Sequence, residues 1–186
     1  MQRISYLLFF LFFVSPNEGN TAENKNEVES VLELLMAYDI EPQKVDFDEV
    51  SSDAKSILMK VASDTGRPPV VRARAILALG YYPSSETKNF LKATVFTQGQ
   101  NEMLIRKGIY ALARGFGSSV CEDIGSFLFH SNPDIRETAV RALGILGSNK
   151  ARKMLIRRLK EENNKMVKNA IQEVLKKFKN QSVKKH

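Results

Sequence analysis

Two ten-residue segments decide the fold of this chain: VRARAILALG at residues 71–80 and IRETAVRALG at residues 135–144. They are identical at five of ten positions, including an Arg at the second position and Ala-Leu-Gly at the end. Residues 104–113 and 166–175 keep the same spacing of apolar residues. The first residues of the four segments lie 33, 31 and 31 residues apart: Val71, Leu104, Ile135 and Met166. Self-similarity at a fixed period of this length is typical of repeat proteins.

A second set of apolar residues precedes each segment and has its own helical period. It recurs at spacings of 33, 33 and 31 residues: Leu58, Leu91, Ile124 and Leu155. Each unit therefore contains two helices, and turn-forming residues such as Gly66-Arg67-Pro68-Pro69 and Gly147-Ser148-Asn149 separate them. No stretch alternates long enough to predict a sheet. The pattern predicts helices at 26–39, 51–63, 69–81, 85–97, 101–114, 119–130, 134–146, 150–162 and 164–179.

The segments NPDIRETAVRALGILG and VVRARAILALG resemble HEAT repeats, and their short period is similar to that of the phycobilin-lyase type of HEAT-like repeat. The resemblance covers about residues 50–180 and implies an all-α fold, an α-solenoid of about four helix pairs. It also implies that the Arg opening the second helix, here Arg72 and Arg136, packs against the neighbouring unit. In the second and fourth units the basic residue lies one place later, at Arg106 and Lys168. Because one pair cannot bury its apolar face, stacked units share a core and need capping ends.

Residues 1–22 have the features of a secretory signal peptide. Arg3 precedes an apolar run of about eleven residues that ends at Ser15-Pro16. This run is shorter than the roughly 20 residues that a membrane-spanning helix needs. We therefore expect an exported protein, periplasmic or secreted, and the alternative is a chain held by an N-terminal membrane anchor.

Residues 23–49 are predicted to form an N-terminal capping helix and a linker to the HEAT-like domain at 50–180. The helix is acidic, and its apolar residues lie on one side: Val28, Val31, Leu32 and Leu35. We expect the last helix of the domain to end near Phe178. Residues 181–186 are expected to form a basic disordered tail, because they offer almost nothing to bury.

The positive charge of the chain is concentrated at its C-terminal end. Residues 150–186 hold 13 Lys and Arg against three Glu, whereas residues 1–149 hold 15 against 18 Asp and Glu. Such a block is either a solvated helix face or a surface that binds anions.

Composition leaves little material for catalysis or metal binding. The chain has one Cys, two His and no Trp, which disfavours disulfide frameworks, zinc clusters and Cys/His catalytic pairs. We predict no metal, no cofactor and no enzymatic activity. Some HEAT-like proteins act on bilins or DNA, but an exported chain meets neither, so no nucleic-acid partner is expected. Cys121 is either buried and inert or available for an intermolecular bond.

The side of the second helices that faces away from the core predicts a binding surface. With the first residue of each segment as position zero, positions three, six and ten lie opposite the core on a helical wheel. Five of these twelve residues are basic, two are Tyr and none is acidic: Arg74, Leu77, Tyr81, Lys107, Tyr110, Arg114, Thr138, Arg141, Ile145, Asn169, Gln172 and Lys176. An ordinary polar surface is the alternative interpretation.

In HEAT-like proteins the second helices line the concave face, so the resemblance implies a continuous groove. Its expected binding residues are Arg74, Tyr81, Lys107, Tyr110, Arg114, Arg141 and Lys176. Arg grips a carboxylate in bidentate fashion and Tyr supplies rigid apolar area, so we expect an acidic protein or peptide partner bound to a non-enzymatic scaffold. The alternative is a binder of anionic envelope polymers or lipid headgroups through the basic C-terminal helices. An enzyme of unknown chemistry is a third interpretation.

Overall fold

The computed structural model describes residues 18–37 and 41–183, and this part of the chain is all α-helical. Short 3-10 turns at Leu79–Tyr81, Gly117–Val120 and Phe127–Phe129 adjoin the helices. No helix in the described part is long and apolar enough to cross a membrane. The helices are α1 (Glu18–Met36), α2 (Lys44–Val50), α3 (Ala54–Ser63), α4 (Pro69–Ala78), α5 (Ser85–Phe96), α6 (Glu102–Phe116), α7 (Cys121–Ser126), α8 (Pro133–Leu146), α9 (Asn149–Glu161) and α10 (Lys165–Val183).

Four helix pairs follow one another along the chain: α3 with α4, α5 with α6, α7 with α8, and α9 with α10. The second helices contact one another in order, α4 with α6, α6 with α8 and α8 with α10. One continuous core of buried apolar side chains extends from Val31 to Val174. The prediction of an all-α solenoid of about four pairs is therefore confirmed.

The N-terminal end of the solenoid is covered by α1 and α2. Val31 and Leu35 of α1 are buried against the first pair, as expected of a capping helix. The helix begins at Glu18 and ends at Met36, so it starts earlier and stops earlier than predicted. The sequence interpretation missed α2, which has only seven residues but buries Phe47 in the core.

The second helices approach closely where their segments contain small residues. A Cβ added to Gly115 of α6 would lie 2.9 Å from the carbonyl oxygen of Gly80, which follows α4. A Cβ added to Gly80 would lie 3.0 Å from the backbone of Ala111. Gly80 and Gly115 are thus needed for contact between the backbones of the first and second pairs, whereas Gly144, the counterpart of Gly80, leaves room for the side chain of Val174.

The Arg residues that open the second helices do not all have the same partner. Arg72 donates to the carbonyl of Ala62 within its own pair, at 3.0 Å. Arg106 donates to Thr138 Oγ1 in the following pair, also at 3.0 Å. The one-residue shift in the second unit therefore does not prevent a contact between units.

Arg136 contacts the next unit through the buried carboxylate of Glu162, in the turn between α9 and α10. Its Nε and Nη2 donate to the two Glu162 oxygens at 2.9 and 3.0 Å, and Arg158 Nη2 donates at 2.7 Å. The backbone N–H groups of Asn163 and Asn164 also donate to this carboxylate. Burial raises the pKa of Glu162, but the hydrogen bonds from Arg136, Asn164 and Arg158 outweigh it and hold the pKa at about 2.

The two ends of the chain differ from expectation. Helix α10 continues to Val183, beyond the predicted end near Phe178, because no Gly or Pro interrupts residues 165–183. Residues 184–186 of the predicted tail lie outside the described residues. Most of the predicted signal peptide also lies outside them, and only residues 18–22 belong to α1.

Candidate functional site

Two neighbouring cavities form a continuous groove on the face of the second helices. The first, of about 440 Å³, lies between α4, α6 and α8. The second, of about 330 Å³, lies between α6, α8 and α10. Tyr110 and Ile145 line both cavities, so the two join there. We call this surface the central groove, and its lining residues are Glu41, Leu77, Lys107, Tyr110, Arg114, Arg141, Gly144, Ile145, Val174, Lys177 and Phe178.

Four of the seven predicted binding residues line the central groove: Lys107, Tyr110, Arg114 and Arg141. Arg74 and Tyr81 lie beside its N-terminal end, in a small cleft that they share with Arg114 and Glu41. The structure therefore brings six of the seven together.

Lys176 does not belong to this group. It lines a separate cavity between α9 and α10, and its neighbour Lys177 faces the central groove instead. The cause lies in the register of α10. Val167 is fully buried, whereas Met166, the residue from which the sequence pattern was counted, is 45% exposed.

Two further residues predicted to be exposed are buried. Leu77 lies at the base of the groove wall, and Thr138 is inaccessible to solvent. The Thr138 hydroxyl donates to the carbonyl of Asp134 and accepts from Arg106 Nε. Because both hydrogen bonds are made inside the protein, Thr138 is buried although its side chain is polar.

Residues 41–43, just before α2, lie at the N-terminal end of the central groove. Glu41 Oε1 accepts a hydrogen bond from Arg114 Nη2 at 2.9 Å. The Arg114 guanidinium also lies over the Tyr81 ring, 4.4 Å from its centroid, and the Tyr81 hydroxyl donates to Gln43 Oε1 at 3.0 Å. An internal carboxylate thus occupies one of the predicted anion contacts.

The cation at the other end, Arg141, is also paired internally. It forms an ion pair with Glu137 one turn earlier in α8, and its Nη1 lies 3.7 Å from Glu173 Oε2 of α10. The hydrogen bond from Arg141 to Glu137 raises the pKa of the guanidinium. None of the twelve counted positions is acidic, but acids from positions outside the counted stripe reach its cations.

The centre of the central groove combines an apolar surface with unpaired positive charge. Ile145 is 60% exposed, and Tyr110 beside it is half-buried. Burial raises the pKa of Tyr110, and the charge of Glu137 adds to this, so the phenol stays a hydrogen-bond donor at neutral pH. Lys107 and Lys177 form no ion pair with any described residue.

Cys121 and His130, whose residue types could serve catalysis or metal binding, make internal contacts. Cys121 is buried, with Ser148 Oγ and Met154 Sδ at 3.9 and 4.0 Å from its sulfur, which favours the inert interpretation. His130 Nδ1 accepts from the backbone N–H of Asn132. Within the described residues, no group of three or more His, Cys, Asp or Glu side chains is placed to hold a metal ion.

Residues 95–176 match the family of HEAT repeats. The matched segment extends from the end of α5 into α10 and contains Lys107, Tyr110, Arg114 and Arg141. Among curated proteins, none matches the chain. The match supports the resemblance to HEAT repeats for the second to fourth helix pairs, and the similarity to the phycobilin-lyase type stays a prediction.

Proposed function

We propose that this protein is an exported, non-enzymatic scaffold that binds an acidic segment of a protein or peptide along the central groove. The observation that carries the proposal is the unpaired charge of Lys107 and Lys177 on either side of Tyr110 and Ile145. HEAT-like solenoids generally bind partners along an extended surface of this kind, and the family match supports a protein partner in general.

The chemistry of the central groove favours a segment with both carboxylates and apolar side chains. Lys107 and Lys177 attract carboxylates without first losing an internal ion pair, whereas Arg114 and Arg141 must exchange one. Exposed Ile145 offers apolar area beside the Tyr110 ring. The Tyr110 hydroxyl donates to a carbonyl or carboxylate of the partner. These groups position a chain rather than activate a nucleophile, which supports binding without catalysis.

Reversing the two unpaired charges tests this function. Protein carrying Lys107→Glu with Lys177→Glu is expected to lose its partners in co-precipitation from envelope extracts, because like charges then face the acidic segment. The matched control is Lys153→Glu with Lys160→Glu, which makes the same charge change at two exposed residues of α9 that do not line the central groove. Retention of all partners by the groove variant would contradict the proposal.

Removal of the internal carboxylate is expected to strengthen binding. In Glu41→Gln, Arg114 no longer has its ion pair, so a partner carboxylate meets less competition. An exposed pair contributes at most about 1 kcal/mol, so affinity for the co-precipitated partner should rise by no more than about fivefold. Titration calorimetry measures this, with Glu49→Gln on the exposed side of α2 as the control. Weaker binding by Glu41→Gln would mean that Glu41 helps to form the site.

The basic C-terminal helices support a second candidate function, binding to an anionic polymer or lipid surface. Helices α9 and α10 carry eleven Lys and Arg residues, and Arg152, Lys176 and Lys179 surround one cavity. Such binding falls steeply with salt and requires anionic lipid. Co-sedimentation with phosphatidylglycerol vesicles, lost in Lys153→Glu with Lys160→Glu and unchanged in the groove variant, would favour this function.

The exported location rests on Arg3 and the apolar run that follows it. Periplasm or secretion is the proposed location, and retention by an N-terminal anchor is the alternative. N-terminal sequencing of the soluble and membrane fractions distinguishes the two.

A further inference from the structure

The last helix pair leaves one apolar side uncovered by any described residue. A cavity of about 380 Å³ lies there between α9 and α10. Ile156, Leu159 and Leu175 form its apolar part, and Ile156 is 40% exposed. Arg152 and Lys176 lie at its edge and form no ion pair with any described residue. We call this surface the end cavity.

The repeat period identifies the end cavity as the side on which a following element packs. One period of 31 residues relates Ile156 to Gly125, and the one-residue shift in the register of α10 relates Lys176 to Gly144. In the third pair, a Cβ added to Gly125 would lie 2.8 Å from Met154 Sδ of α9, and one added to Gly144 would lie 2.9 Å from Val174 Cγ1 of α10. The corresponding residues of the fourth pair are large, so a following element cannot approach as closely as α9 and α10 approach α7 and α8. The end cavity therefore suits one added helix with side chains that reach into it.

The opposite end of the molecule presents a helix with complementary chemistry. Met36 of α1 is 53% exposed, although it belongs to the capping helix. Glu29 and Glu33 are exposed within about 60° of Met36 on the helical wheel, away from the buried Val31 and Leu35. Neither Glu forms an ion pair with any described residue. This strip of α1 carries acids beside an apolar side chain, whereas the end cavity carries cations beside apolar side chains.

We propose that copies of this chain associate head to tail, with the Glu29, Glu33 and Met36 strip of one copy on the end cavity of the next. The two carboxylates meet Arg152 and Lys176, and Met36, a flexible apolar side chain, enters the space beside Ile156 and Leu175. The contact joins two different surfaces. After each added copy, the assembly therefore still has one free α1 strip at one end and one free end cavity at the other. Such an association grows into chains or closes into rings.

A charge exchange between the two surfaces tests the proposal. The first variant carries Glu29→Lys with Glu33→Lys, and the second carries Arg152→Glu with Lys176→Glu. In sedimentation velocity, the mean size of the unmodified protein is expected to rise with concentration and to fall with added salt. Each variant alone is expected to stay monomeric, because both of its ends then carry the same charge. An equimolar mixture is expected to associate again, since each altered surface matches the altered surface of the other variant.

The groove variant, Lys107→Glu with Lys177→Glu, is the control and is expected to associate like the unmodified protein, which separates this proposal from the function of the central groove. Unmodified protein that is monomeric at every concentration, or a mixture of the two variants that stays monomeric, overturns the proposal. Monomeric protein that binds phosphatidylglycerol vesicles through Arg152 and Lys176 assigns the end cavity to a lipid surface instead.

Discussion

Glu162→Gln is expected to lower the free energy of unfolding by about 3–5 kcal/mol, since it leaves two largely buried guanidinium groups without their counter-charge. Only 1% of the Glu162 side chain is exposed, and it accepts hydrogen bonds from Arg136, Arg158 and the two backbone N–H groups that follow it. A neutral amide cannot accept all of these bonds and brings two donors of its own into the site. In a chain of this length the loss corresponds to a decrease in melting temperature of roughly 6–20 °C.

Thermal and denaturant unfolding measure this effect, and Glu161→Gln is the matched control because Glu161 is the exposed neighbour of Glu162.

The pH dependence of the stability gives a second test. The folded pKa of Glu162 is lowered from 4.5 to about 2. Its stabilisation is therefore complete above about pH 4.5 and is lost as the pH falls toward 2. The unmodified protein should lose more stability over this interval than Glu162→Gln does. Equal losses, or a variant within 1 kcal/mol of the unmodified protein, would show that the buried pair is not stabilising.

Gly115→Ala is expected to lower the free energy of unfolding by about 1–3 kcal/mol through overpacking. The direction of the change in stability is informative, because Ala is otherwise favoured over Gly inside a helix by about 1 kcal/mol. The added methyl would lie 2.9 Å from the carbonyl oxygen of Gly80, and a backbone atom cannot rotate away as a side chain can. Relief therefore requires α6 to move away from α4.

Gly66→Ala is the control for this substitution. The nearest atom to its added methyl is a carboxylate oxygen of Asp64 at 3.2 Å, which belongs to an exposed side chain able to move. Chemical denaturation should show little change for Gly66→Ala and a clear loss for Gly115→Ala. A Gly115→Ala protein more stable than the unmodified one would mean that helix propensity outweighs the close approach of the two backbones.

The four helix pairs were predictable because their core residues repeat at nearly constant spacing along the chain. The register of α10 was not, since Met166 and Val167 are both apolar and adjacent, and only packing against α8 determines which of them is buried. Helix α2 was missed because seven residues are too few to establish a helical period, even though Phe47 is fully buried.

The central groove was predictable in position but not in charge. The wheel placed Lys107, Tyr110, Arg114 and Arg141 on one face because they follow the helical period of the second helices. It contained no information on Glu41, which lies in a linker without periodicity and 73 residues from its partner Arg114. Contacts of this kind depend on where residues 41–43 lie on the folded solenoid, which no local pattern encodes.

The contact between Glu41 and Arg114 also bears on how the solenoid unfolds. In a linear array of helix pairs each unit contacts only its nearest neighbours, so units open from the ends with little cooperativity between distant parts. Glu41, which lies just before α2 in the cap, makes its ion pair directly with α6 of the second pair and not with the first pair. The cap and the second pair therefore share a contact that α9 and α10 lack. The contact therefore stabilises the N-terminal half against local unfolding. Because exposed ion pairs contribute at most about 1 kcal/mol, it does not make the whole array a single cooperative unit.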